Sequence, residues 1–263
     1  MWDERVPIHV ASEFYDVEGF KAGKPALQPF EIDELGSLDG MQLIHLQCHF
    51  GLDTLDLVRL HPNLRAVGVD FSEKAVDEAR RLARELGLDD RVSFIHANVY
   101  ETDSRIAEKA DIVYTGKGAL NWLPHLDRWA DLCADLLKPG GWLYLCEFHP
   151  VALVLGEHEP VPIRDYFDLD PIFDESPGTY ADPAAPTNNN ASYEWNHPLS
   201  HVVGALIGAG FQLRFLHEWD YTISKFGDWM VPCDDGRFCW PGSGKLPLMY
   251  SLKARKLPSP GAP

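Results

Sequence analysis

The stretch Leu43-Ile44-His45-Leu46-Gln47-Cys48-His49-Phe50-Gly51-Leu52-Asp53-Thr54 decides how this chain is read. Its first residues complete a short apolar run from Met41 to Leu46, which reads as a strand. From Leu52 to Leu60 the apolar residues Leu52, Leu55 and Val58 fall on one helical face. Between the two lies a tight turn ending at Gly51, where the chain must bend sharply and a ligand can approach the backbone. Backbone N–H groups at the start of the helix can bind a carboxylate or phosphate. In open α/β sheets, ligands sit beyond the carboxyl ends of the strands.

The same alternation continues outward. Ala66–Asp70 reads as a second strand, and Ser72 as the N-cap of a helix that aligns Ala75, Val76, Ala79, Leu82, Ala83 and Leu86 and stops at Gly87. Glu73 suits the positive end of that helix. Val92–Ile95 and Asp111–Tyr114 are the third and fourth strands. Asp127–Leu137 is a helix with the stripe Trp129, Leu132, Cys133 and Leu136. Pro139-Gly140-Gly141 reads as a turn before a fifth strand, Trp142–Cys146. Val202, Val203, Leu206 and Ile207 mark one more helix. Phe211–Trp219 and Leu246–Ala254 are the sixth and seventh strands, with no helix between them, so they are expected as an antiparallel pair at the sheet edge. Strands that alternate with helices, and that read as near-continuous apolar runs, predict an α/β fold: a doubly wound, seven-stranded, mostly parallel sheet with helices on both faces.

Four segments follow. Residues 1–40 are an N-terminal arm that either covers the core or forms a lid; 41–150 are the ligand-binding core; 193–263 complete the sheet. Residues 151–192, acidic and interrupted by six prolines, are expected to cap the site as an insertion.

At 263 residues the chain suits one large domain, or one with an insertion. Lys+Arg 23 against Asp+Glu 40 gives a net charge of −17, which disfavours nucleic acid and anionic membranes as partners. Aromatic residues in the arm suit a homodimer. No apolar run is long enough to span a bilayer, and Met1-Trp2-Asp3-Glu4-Arg5 lacks the marks of a signal peptide. The five irregularly spaced cysteines, with Cys48 and Cys146 in strands and Cys233 and Cys239 read as plain thiols, predict a reduced, cytoplasmic protein.

Asp70 ends the second strand 19 positions after Gly51, where an acid can accept hydrogen bonds from both hydroxyls of a ribose. The ligand is therefore expected to contain a nucleoside. A dinucleotide fingerprint would need glycines at 47, 49 and 52; Gln47, His49 and Leu52 stand there, which counts against the alternative of an NAD(P)-dependent oxidoreductase.

With these residues in place the chain resembles the class I S-adenosylmethionine-dependent methyltransferases, in a variant with a His-Leu-Gln-Cys-His-Phe-Gly turn at 45–51. Of the glycines in the family's first motif only Gly51 is kept, and His45 stands where the family has an acid. The resemblance implies S-adenosylmethionine as cofactor. The turn from Gln47 to Gly51, with Thr54 just beyond it, would hold the methionine end, and His45 or the Gln47 side chain would take the place of the missing carboxylate. Asp70 would bind ribose, Phe71 would pack on adenine and Ser72 would follow them in the motif. Asn98, beside Val99, would meet the adenine amine, and Thr115 would lie beside the methionine portion. Leu136-Leu137-Lys138-Pro139-Gly140-Gly141 resembles the family's turn before its fifth strand.

The activity implied is methyl transfer to an oxygen or nitrogen nucleophile of a small molecule. An oxygen or protonated amine acceptor needs a base, and the candidates are Glu147 and His149 at the end of the fifth strand and His197 before a helix. His197 and His201 have the spacing of a metal pair but no evident third ligand, so no metal is expected. The other alternative, suggested by the two lost glycines, is a protein that binds S-adenosylmethionine without catalysis.

Overall fold

The computed structural model describes residues 1–233, 236–242 and 244–257. They group into two compact units. One holds residues 1–115, 135–141 and 173–192; the other holds 116–134, 142–172 and the residues from 193 onward. The proline-rich stretch 151–192 is thus divided between them.

In the first unit three helices form the arm: α1 (Trp2–Ala11), α2 (Val17–Lys21) and α3 (Pro29–Leu35). Then come β1 (Gln42–Leu46), α4 (Leu52–Leu60), β2 (Arg65–Asp70), α5 (Glu73–Glu85), β3 (Val92–His96), the single-turn α6 (Thr102–Arg105) and β4 (Ala110–Gly116). β1 pairs in parallel with β2 and β4, and β2 with β3, so the carboxyl ends of all four strands share one edge. α5 forms where the sequence places it: the Ser72 hydroxyl accepts the Ala75 N–H at 3.2 Å, and Ala75, Val76, Ala79, Leu82 and Ala83 are buried. Gly68 on β2 is required by close packing, because a Cβ there would lie 2.5 Å from the Phe94 ring and 2.8 Å from Cys48 Sγ.

Further along the chain α7 (Leu126–Leu136) leads into β5 (Leu137–Phe148). Pro139–Gly141 is part of that strand rather than a separate turn; Gly140 takes a φ of 80° and lets the strand bend without ending. α8 (Pro150–Leu153), β6 (Ile172–Asp174) and β7 (Ser192–Glu194) are short pieces, as the prolines dictate. α9 (Leu199–Gly208) and β8 (Phe211–Trp219) follow; then β9 (Tyr221–Thr222), β10 (Val231–Pro232) and β11 (Phe238–Cys239) make a small sheet before β12 (Met249–Lys256). β12 starts beyond Pro247, a residue without the N–H a central strand needs. It runs antiparallel to both neighbours, with Ser251 opposite Cys146 on β5 and opposite His217 on β8. The main sheet has the order β3-β2-β1-β4-β5-β12-β8, the expected seven strands with the expected reversed pair at one edge.

One expectation is corrected. Cys233 and Cys239 are not plain thiols but a disulfide, their Cα atoms 6.1 Å apart. β10 and β11 pair antiparallel, Val231 opposite Cys239 and Pro232 opposite Phe238, and this brings the two cysteines together. Cys48, Cys133 and Cys146 are free and buried. Among the described residues no helix is long and apolar enough to cross a membrane.

Candidate functional site

The turn after β1 keeps a glycine-like shape with few glycines. Gln47, His49 and Gly51 have φ of 57°, 50° and 81°, so every second residue is left-handed. For an L-residue this conformation costs roughly 1–2 kcal/mol, a cost accepted twice to present side chains at 47 and 49. The turn is fixed by Cys48 N–H donating to the Val69 carbonyl at 3.0 Å and Gly51 N–H to the Cys48 carbonyl at 2.9 Å. A Cβ at 51 would lie 2.7 Å from the Phe94 ring, so the last glycine is fixed by packing as well as by φ.

Asp70 ends β2 beside this turn. One carboxylate oxygen accepts the His49 N–H at 2.8 Å and the other the Ser72 N–H at 2.9 Å. Burial pushes its pKa up, and the N–H donors of Ser72, His49 and Phe71 draw it back. The Phe71 ring is 56% exposed, an unusual state for a phenylalanine at a strand end. Thr115, at the end of β4, is fully buried, and its hydroxyl has no hydrogen-bond partner.

Other predicted residues are placed differently. His45 and Thr54 are buried and bonded to each other, Nδ1 to Oγ1 at 2.7 Å, with the His45 ring edge-on to Tyr114. They brace the turn from within the core. Asn98 is exposed and its side-chain oxygen accepts the Tyr100 N–H at 3.0 Å; Val99 is buried.

The arm supplies residues that sequence reasoning missed. Asp3 accepts the Ser72 hydroxyl at 2.5 Å and the Lys74 N–H at 3.3 Å. His9 Nδ1 is 2.8 Å from His49 Nε2. Glu4 accepts four hydrogen bonds, from the N–H and Nδ2 of Asn188 and Asn189, at 2.8–3.1 Å. Tyr180 bonds to Tyr15 through their hydroxyls, and its ring lies 4.7 Å from that of His9. The one signal in the sequence was the spacing of Trp2, Arg5 and His9, three and four residues apart on one helical face.

The second unit holds the candidate bases. A pocket there is lined by Leu120, Asn121, Glu147, Phe148, Trp195, His197 and Tyr250, among others. The Glu147 carboxylate is taken up by three backbone groups, the N–H of Gly118, Ala119 and Leu120, at 2.6–2.9 Å. His149 has both ring nitrogens occupied: Nδ1 accepts the Val151 N–H at 3.1 Å and Nε2 meets Glu218 at 3.0 Å. His197 is the third candidate. Its Nε2–H donates to the Leu123 carbonyl at 2.8 Å, which leaves Nδ1 as a buried acceptor with no partner. Burial lowers the His197 pKa, so the ring is neutral near pH 7. Asn121, whose side-chain oxygen is also buried without a partner, is a pocket residue the sequence did not flag.

Parts of the chain are similar to known proteins. Residues 44–143 match the family model described as a methyltransferase domain. A ubiquinone biosynthesis O-methyltransferase of Bordetella avium is 27% identical over 139 residues, 51% of this chain and 56% of that protein. The chain spans 22–57% of the length of four curated relatives it matches. Among solved structures, an S-adenosylmethionine-dependent methyltransferase from Mesorhizobium loti superposes with a TM-score of 0.63 at 18% identity, over 90% of this chain and 100% of that one. The geranyl diphosphate C-methyltransferase of Streptomyces coelicolor gives 0.55 at 14% identity, over 87% and 77%. At such identities the likeness shows the fold.

Proposed function

We propose that the chain carries a class I S-adenosylmethionine-dependent methyltransferase domain and that it moves the cofactor's methyl group to a hydroxyl or amine of a small molecule. The observation that supports this most directly is the pairing of Asp70 with the left-handed turn at 47–51. The donor set suits the cofactor. Asp70 would hold the ribose hydroxyls, because its two oxygens are fixed by backbone N–H groups and retain lone pairs for further donors. Phe71 presents its exposed ring for adenine, and the buried Thr115 hydroxyl lacks a partner at the end where the methionine portion is expected. When bound, the cofactor supplies an electrophilic methyl group on a sulfonium.

The chain's own contribution is orientation and proton removal. His197 is the base of this reading. Its Nδ1 takes the proton from the acceptor, while the Leu123 carbonyl fixes the ring through Nε2–H. Glu147 holds residues 118–120 in place rather than exchanging protons, and His149 is held by Glu218. Trp195, Phe148 and Tyr250 give the pocket apolar walls.

Isothermal titration with S-adenosylhomocysteine tests the cofactor half. Asp70→Ala removes hydrogen bonds to a charged acceptor, each worth about 1.5–3 kcal/mol, so affinity should fall at least ~10-fold. Equal affinity in wild type and variant would remove Asp70 from the site.

A further inference from the structure

Arg5 is a buried cation without a counter-ion. It lies on α1, one turn before His9 and on the same face as Trp2. It is only 7% exposed, and Nε is shielded from solvent with no partner. Among the described residues its guanidinium forms no ion pair or hydrogen bond. The nearest compensation is the Trp2 ring, whose centroid lies 5.8 Å from Cζ. This occurs in a chain with 40 acidic against 23 basic residues, where other arginines find acids readily: Arg59 with Asp56, Arg80 with Asp77, Arg81 with Glu78. A guanidinium taken out of water and left unpaired costs several kcal/mol. Such a group is retained where its partner arrives from outside.

His9 carries the second observation. It is fully buried, its Nδ1 is bonded to His49, and its Nε2 has no partner. With His49 Nε2–H donating to His9 Nδ1, His9 presents Nε2–H as a second donor. Tyr180 stands beside it, Oη 3.5 Å from His9 Nδ1. One fixed positive charge among neutral donors matches a monoanion. A phosphate group, with close to two negative charges, would be under-compensated. A guanidinium presents paired N–H groups to the two oxygens of a carboxylate.

We propose that Arg5, with His9, forms a seat for a ligand carboxylate. Two ligands could bring it: the amino-acid end of the cofactor, or an acidic acceptor. This rests on the cofactor reading above and extends it to a residue outside the matched segment.

Three titrations separate the sources, run on wild type, Arg5→Met and Arg5→Lys. The probes are S-adenosylhomocysteine, 5′-methylthioadenosine (the same nucleoside without the carboxylate), and benzoate added to protein saturated with S-adenosylhomocysteine. If the cofactor supplies the carboxylate, Arg5→Met weakens S-adenosylhomocysteine by roughly 10- to 100-fold and leaves 5′-methylthioadenosine unchanged. If an acidic acceptor does, Arg5→Met leaves both nucleosides unchanged and abolishes benzoate binding. Arg5→Lys should fall between, since it keeps the charge and loses the fork. Ligand-free Arg5→Met should melt no lower than wild type, because it removes an uncompensated charge. A variant that melts well below wild type marks a structural arginine and overturns the proposal, as does one that matches wild type with all three probes. If wild type binds neither nucleoside, the cofactor reading fails, and this proposal with it.

Discussion

Acid should release α1 before the rest of the first unit unfolds. The perturbation is a change from pH 7.5 to pH 5, and its target is the His9–His49 pair, bonded at 2.8 Å. Burial lowers the two pKa values from 6.5 to about 4 for His9 and about 3 for His49. Arg5 adds to the first shift and His9 to the second. Between pH 6.5 and 4 the unfolded chain therefore binds protons that the folded one refuses. The stabilisation is fully present above pH 6.5 and is lost as the pH falls. A fully shifted histidine changes stability by about 1.4 kcal/mol per pH unit. With His9 counted in full and the partly exposed His49 at half, the loss from pH 6.5 to 5 is about 3 kcal/mol. Glu4 does not offset this. Its pKa is held at about 2 by Asn189 and Asn188, so its bonds give way only below the ordinary carboxylate range. Hydrogen exchange read by mass spectrometry over residues 1–15 and 47–52, corrected for intrinsic rates, should show protection falling about 100-fold across that window while α5 stays protected. Equal protection in residues 1–15 at pH 7 and pH 5 would refute the reasoning, and His9→Phe should flatten the dependence by more than half.

Two further outcomes follow from the second unit. Glu147→Gln places an NH2 group against N–H donors that now meet a carboxylate, and should cost about 2–3 kcal/mol in urea unfolding; a loss below ~0.5 kcal/mol would show that residues 118–120 do not depend on it. His197→Gln should lower kcat by roughly 10²- to 10⁴-fold with the best acceptor from a panel of phenols and amines, and leave S-adenosylhomocysteine affinity unchanged. An unaltered kcat would remove His197 as the base.

The core was legible because strands buried on both faces carry short apolar runs, as Ala66–Val69, Ile112–Tyr114 and Trp142–Cys146 do. Strand ends were less so. Pro247 delays β12, and β5 continues through Pro139–Gly141 because Gly140 bends the strand without breaking it. The place of Asp70 beside the turn was legible from its distance to Gly51. The left-handed conformations of Gln47 and His49 were not, since no glycine marks them. Glu147 and His149 looked available at the strand end. Their partners, the amides of 118–120 and Glu218 on β8, are far away in sequence and become visible only when the sheet assembles. The disulfide was hidden for the same reason: two-residue strands have no readable period, and only their pairing brings Cys233 to Cys239.

Helix α1 of the arm bonds to the residues that flank Asp70. Asp70 is oriented by two side-chain-bearing residues, His49 and Ser72, each through its backbone N–H. The side chain of each is in turn held by α1: His49 by His9, and Ser72 by Asp3. The same helix holds residues 188–189 through Glu4. The segment shared with the methyltransferase domain begins at residue 44, so it contains the carboxylate and both donors but none of the three anchors. Left-handed residues such as His49 persist only where the surroundings over-determine them. Here one of those constraints comes from nine residues into the chain. A shift of α1 would act on both sides of Asp70 at once. The geometry around Asp70, the proposed ribose acceptor, is therefore set as much by a helix outside the matched segment as by the strand that carries the acid.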